Sequence, residues 1–134
     1  MSLPPDEKPT ILYVDSENQN LVSFHAIFRR EYKIISASST EEALKVLEKE
    51  LVEIVVCSKN IGALTGVDFL ASTICHWPNI SRLLVSDYGD QDPDEKAQIL
   101  DYLIKPWDTC QVEKIVKEAS ILFRTKQLIT GNFW

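Results

Sequence analysis

Residues 11–15 read Ile11-Leu12-Tyr13-Val14-Asp15, four largely apolar residues followed at once by a carboxylate. A run without polar alternation suits a strand covered on both faces, and the acid marks where that strand leaves the core. Working outward, similar runs recur at Ile54 to Cys57 and Leu83 to Ser86, with two more strands at Ile34 to Ala37 and Tyr102 to Ile104. Between them, apolar residues repeat at helical spacing: Leu21, Phe24, Ile27 and Phe28, then Ala43, Leu44 and Leu47, then Val67, Leu70, Ala71 and Ile74. A last stripe joins Val112, Ile115, Val116, Ala119, Leu122 and Phe123. Strict alternation of strand and helix predicts an α/β, doubly wound, five-stranded parallel sheet with helices on both faces. Right-handed crossovers then bring every strand's carboxyl end to one edge, where a site belongs.

Local signals fix several boundaries. Ser39 and Glu42 form a capping box ahead of the second helix, Asp108 and Gln111 do the same for the last, and Pro78-Asn79 is expected to end the third. Arg29-Arg30 falls where a helix C-terminus favours positive charge. With 134 residues, 45% of them hydrophobic, the chain has material for one core rather than two. Residues 1–9 are read as a leader, in part an expression scar, 10–128 as the domain, and 129–134 as a tail or a truncated linker to an output domain.

Composition excludes several function classes. The net charge of −6 and pI near 4.9 oppose direct contact with nucleic acid or an anionic membrane. No stretch reaches the roughly 20 apolar residues of a membrane span, and the start lacks a secretory hydrophobic region. Cys57, Cys75 and Cys110 have neither zinc nor disulfide spacing. They are expected to be reduced core residues of a cytoplasmic protein. The acidic run Asp87, Asp90, Asp92, Asp94 and Glu95 reads as a solvated loop, because it lacks the glycine and bidentate glutamate of a calcium loop.

Three stretches taken in order, Ile11-Leu12-Tyr13-Val14-Asp15, Gly66-Val67-Asp68-Phe69-Leu70 and Tyr102-Leu103-Ile104-Lys105-Pro106-Trp107-Asp108, resemble the receiver domain of two-component response regulators over roughly residues 10 to 125. The resemblance implies a flavodoxin-like strand order 2-1-3-4-5 and a phosphoryl-accepting pocket. In that pocket two acids after strand one and an aspartate after strand three hold Mg²⁺, and the latter attacks a phosphoryl donor. Carried over residue by residue, Asp15 matches the first acid, Ser86 the strand-four hydroxyl, Lys105 the lysine and Tyr102 the switch aromatic. Lys105-Pro106 becomes a candidate cis peptide. Tyr102 reads equally well as plain strand packing.

The sequence departs from the pattern at the chemistry itself. Ser16 stands where the second acid belongs and Ser58 where the acceptor aspartate belongs. A serine hydroxyl is protonated at neutral pH, and no base lies beside Ser58 in sequence. Asp15 and Lys105 already balance each other in charge, so the pocket needs no cation, and Mg²⁺ binding is expected to be weak or absent. Lys105 is expected to pair with Asp15 or to hydrogen-bond Ser58, while Asp87 directly after Ser86 repels an incoming phosphate. The 19-residue interval from Ser86 to Lys105 is about three short of the receiver spacing, roughly one helical turn, so the fourth helix is expected to be short, starting near Pro93.

These readings predict a non-enzymatic receiver that acts as a phosphorylation-independent interaction module. Its partners are proteins: signalling proteins, with a histidine kinase, a fused output domain and a homodimer left open. Two rivals stand beside it. One is a working phosphorelay receiver with an unorthodox acceptor among Glu17, Asp68 and Asp87, and the other an α/β domain binding an anion or small molecule through Ser16, Ser58, Ser86 and Lys105.

Overall fold

The computed structural model describes residues 8–87 and 98–130. The elements are β1 (Thr10–Val14), α1 (Asn18–Phe28), β2 (Lys33–Ala37), α2 (Thr40–Lys49), β3 (Ile54–Ser58), β4 (Asn60–Ile61), β5 (Leu64–Thr65), α3 (Gly66–Ser72), β6 (Ser81–Asp87), β7 (Ile99–Lys105) and α4 (Thr109–Thr130). The main sheet has five strands, all parallel, in the order β2-β1-β3-β6-β7. This is the expected 2-1-3-4-5 order once the small β4-β5 hairpin is counted. The expected fourth helix lies outside the described residues.

The strand pleat sends alternate residues to opposite faces, and each face collects its own core. Ile11, Tyr13, Ile54, Val56, Leu83, Val85 and Leu103 pack with Leu21, Phe24 and Phe28 of α1 and Val112, Ile115, Val116 and Ala119 of α4. On the other face Leu12, Val14, Val55, Cys57 and Leu84 pack with Ala43 and Leu47 of α2 and Phe69 and Leu70 of α3. Strands buried on both faces explain why β1 and β3 carry unbroken apolar runs.

Several local expectations are corrected. Ile27 and Leu44, placed on buried stripes, are exposed at 45% and 36%, because each lies at the edge of its helix's sheet-facing stripe. Only Cys57 of the three cysteines is buried; Cys75 and Cys110 are exposed. Helix α3 stops at Ser72, short of Pro78-Asn79, which leaves Ile74 beyond it. The reason is a side chain that periodicity cannot see: Arg82 donates from Nε to the Leu70 carbonyl and the Thr73 hydroxyl, and Thr73 itself donates to the Leu70 carbonyl. In the capping box Ser39 Oγ accepts from the Glu42 amide at 3.2 Å. Glu42 reaches back one residue further than expected, to the amide and hydroxyl of Ser38. Asp108 caps α4 by accepting from the amides of Cys110 and Gln111.

One glycine is sterically required. A Cβ on Gly66 would lie 2.0 Å from the Ser58 carbonyl oxygen, so only glycine lets α3 start against the end of β3. Gly66 also donates its amide to the Lys59 carbonyl at 2.7 Å, and Thr65 caps the helix by accepting from the Asp68 amide.

Candidate functional site at the carboxyl edge

Register gathers the sequence-predicted residues at one edge. Val14 pairs with Cys57, so Asp15 and Ser58 both stand one residue past the same level of adjoining strands. Ser58 is level with Val85, which puts Ser86 one step beyond it, and Asp87 is level with Lys105 on β7. The Lys105-Pro106 peptide is cis. Asp87 closes β6, and its side chain lies outside the described set.

Asp15 is the organising group. It is 1% exposed, yet its carboxylate is engaged by three donors. Oδ1 accepts from the Glu17 amide at 2.9 Å, and Oδ2 accepts from the Tyr13 hydroxyl at 3.1 Å and Asn20 Nδ2 at 3.0 Å. A buried carboxylate so bonded is a clasp between β1 and α1, because a missing donor there would leave charge uncompensated. Tyr13 is pushed well above the usual phenol range, first by burial and then by the charge and hydrogen bond of Asp15. Cys57 is pushed up by burial and by the same carboxylate, so its thiol stays protonated and packs as an apolar group.

The expected Lys105 contact with Asp15 is corrected: among the described residues no ion pair or hydrogen bond joins the two, and none joins Lys105 to Ser58. Tyr13 and Asn20 supply the donors instead, from the same strand face and from the first turn of α1. Ser16 is exposed, Ser58 half-buried and Ser86 buried. Tyr102 is half-buried and packs on the α2/α3 face of the core. Among the described residues no group of three or more His, Cys, Asp or Glu could hold a metal ion.

Sequence reasoning missed Tyr13 and Asn20. Tyr13 was legible in principle, since residues two apart on a strand share a face. Asn20 carried no signal. Trp107, just after the cis peptide, was also missed as a site neighbour. It stacks edge-on to Tyr13 and Phe24 with centroids 6.1 and 5.4 Å apart, with its indole N–H buried and unpartnered.

Comparison with known proteins agrees with this geometry. The chain is 30% identical over 118 residues to the hydrogenase transcriptional regulatory protein HoxA of Cupriavidus necator, an alignment covering 85% of this chain and 24% of that protein. It is 24% identical over 112 residues to sporulation initiation phosphotransferase F of Bacillus subtilis, covering 81% of this chain and 90% of that one. Among solved structures, the response regulator receiver domain from Clostridium thermocellum superposes with a TM-score of 0.77 at 23% identity, over 90% of this chain and 98% of the other. The chain is a response-regulator receiver domain. No protein-family model matches it. This receiver domain spans about a quarter of the length of the first curated relatives it matches.

Proposed function

We propose that this receiver domain relays information by protein contacts without phosphorylation of an aspartate. The observation that carries the reading is the state of Asp15: its two oxygens are engaged by Tyr13, Asn20 and the Glu17 amide, while serines stand at positions 16 and 58. Mg²⁺ in such a pocket needs several oxygen ligands of high charge. Among the described residues at the positions the resemblance assigns to the ion, the donor set offers one carboxylate, already bonded, and two neutral hydroxyls. The residues present do not fit the ion, and no phosphoryl step is derived through it.

The module is not an enzyme in this reading. Receiver domains of response regulators interact with kinases and with output domains, and HoxA is a transcriptional regulatory protein of which the matched segment is a quarter. A fused output domain therefore fits best as the partner here, with a histidine kinase second. No helix among the described residues is long and apolar enough to cross a membrane, and unpaired cysteines fit a reducing cytoplasm.

The test is an intact-mass measurement after incubation with Mg²⁺ and acetyl phosphate, run beside a variant carrying Ser16→Asp and Ser58→Asp. No adduct is expected on the native chain, and a labile adduct is expected on the double variant. A stoichiometric adduct on the native chain overturns the proposal. If it is acid-stable, Ser58 becomes the acceptor; if it yields to hydroxylamine, a carboxylate does.

A further inference from the structure

The amino edge of the sheet, opposite the pocket just described, holds a cavity of about 80 Å³. A single water needs only about 10–15 Å³, so the space takes several heavy atoms. Its walls come from the end of α2 (Leu47), the start of β3 (Val52), the turn after α3 (Trp77, Asn79) and the last turns of α4 (Phe123, Gln127).

The neighbouring charges are already committed. Arg82 is 2% exposed, and its nitrogens are directed at the carbonyls of Leu70, Ile80 and Trp77 and the Thr73 hydroxyl. Glu53 is held by Ser120 and Arg124. Of the residues that line the cavity, Glu50 and His76 are ionisable; both are exposed, and Glu50 pairs with Lys33 at 3.8 Å, so the apolar interior favours an uncharged occupant. One polar group remains. Asn79 is 8% exposed and uses Nδ2 to donate to Gln127 Oε1 and the Thr130 hydroxyl, while its Oδ1 accepts from no described residue. That amide oxygen can accept from a donor carried by an occupant.

We propose that this cavity binds a small, uncharged aromatic molecule carrying one hydrogen-bond donor, of the phenol or indole type. The ring lies against Trp77, Val52 and Phe123, and the donor meets Asn79 Oδ1. An occupant there tightens the contact between the 77–80 turn and the end of α4, giving a domain that lacks the aspartate acceptor a non-covalent input. Only that last consequence rests on the phosphorylation-independent reading; the binding itself does not.

The test is an amide-resolved NMR titration of the whole chain with phenol and, separately, toluene. Saturable shifts centred on Val52, Trp77, Asn79 and Phe123 are expected, with phenol binding about fivefold tighter than toluene, as one net hydrogen bond implies. Asn79→Leu is expected to erase the preference and keep toluene binding, and Val52→Trp to fill the space and abolish both. If Val52→Trp does not fold, Asn79→Leu carries the test alone. Equal affinity for the two probes in the native chain, scattered unsaturable shifts, or no shifts because the cavity holds water only, each overturns the proposal. Acetyl phosphate labelling is read independently, so an adduct there refutes the proposed function and leaves this site standing.

Discussion

At the amino edge of the sheet, Arg82 and Glu53 are buried and bonded, Arg82 to the end of α3 and the turn that follows it and Glu53 to Ser120 and Arg124 of α4. At the carboxyl edge, Asp15 is equally buried, but its partners are Tyr13, Glu17 and Asn20, all within five residues. The first edge is stitched by long-range contacts: Glu53 reaches Ser120 and Arg124 at sequence separations of 67 and 71. The second is closed by local ones. Long-range polar bonds between elements hold the tertiary arrangement, whereas a local clasp shapes a loop and can be altered with less effect on the rest. The edge that hosts chemistry in receiver domains is therefore the one that this fold depends on less.

The largest effect is expected where the dependence is greatest. Arg82→Ala leaves four acceptors without their donor and opens a void, and should cost about 3 kcal/mol in urea unfolding, since each orphaned buried group costs roughly 1 kcal/mol or more. A loss below the effect of Asp15→Asn breaks the comparison. Gly66→Ala forces α3 away from the Ser58 carbonyl and should cost about 1–3 kcal/mol, as overpacking does. Its far-ultraviolet spectrum should stay native, because the clash is local to one helix start.

The Glu53–Arg124 ion pair, 3.2 Å long with the arginine one-fifth exposed, sharpens the contrast further. A double-mutant cycle of Glu53→Gln and Arg124→Gln should give a coupling of about 1–2 kcal/mol, below a fully buried pair because solvent screens one side. Asp15→Asn should cost about 1 kcal/mol, since the amide keeps one acceptor for three donors. It should shift NMR signals only around Tyr13, Glu17 and Asn20.

The remaining effect is confined to the alkaline limb of stability and vanishes at neutral pH. Burial, then the charges of Glu113 and Glu31, push Tyr32 up to about 12 from 10.0. A phenol whose folded value is raised contributes stability that is complete below pH 10 and lost as pH rises toward 12. Tyr32→Phe should therefore flatten the decline of unfolding free energy over that range by about one proton's worth. Burial lowers Arg82 from its ordinary value, but a guanidinium donating to four acceptors stays protonated over this range, so the change in slope reports the phenol.

The sequence by itself determined the strands, their burial on both faces and the edge on which Asp15, Ser58, Ser86 and Lys105 meet. Hydrophobic period and β-branched runs are local properties, and right-handed crossovers then leave little freedom in topology. It also specified the two serines where the resemblance implies acids, since identity needs no coordinates. Only the tertiary structure decided which donors bond Asp15, that Lys105 is not one of them, that α3 ends at Ser72, and that a cavity lies behind Asn79. Each of these depends on a side chain reaching a group on another turn or element. Arg82 is the clearest case: in sequence it is one cation beside an apolar strand, ordinarily a sign of solvent, and only the carbonyls converging from the α3 end and the following turn make it the centre of a core network.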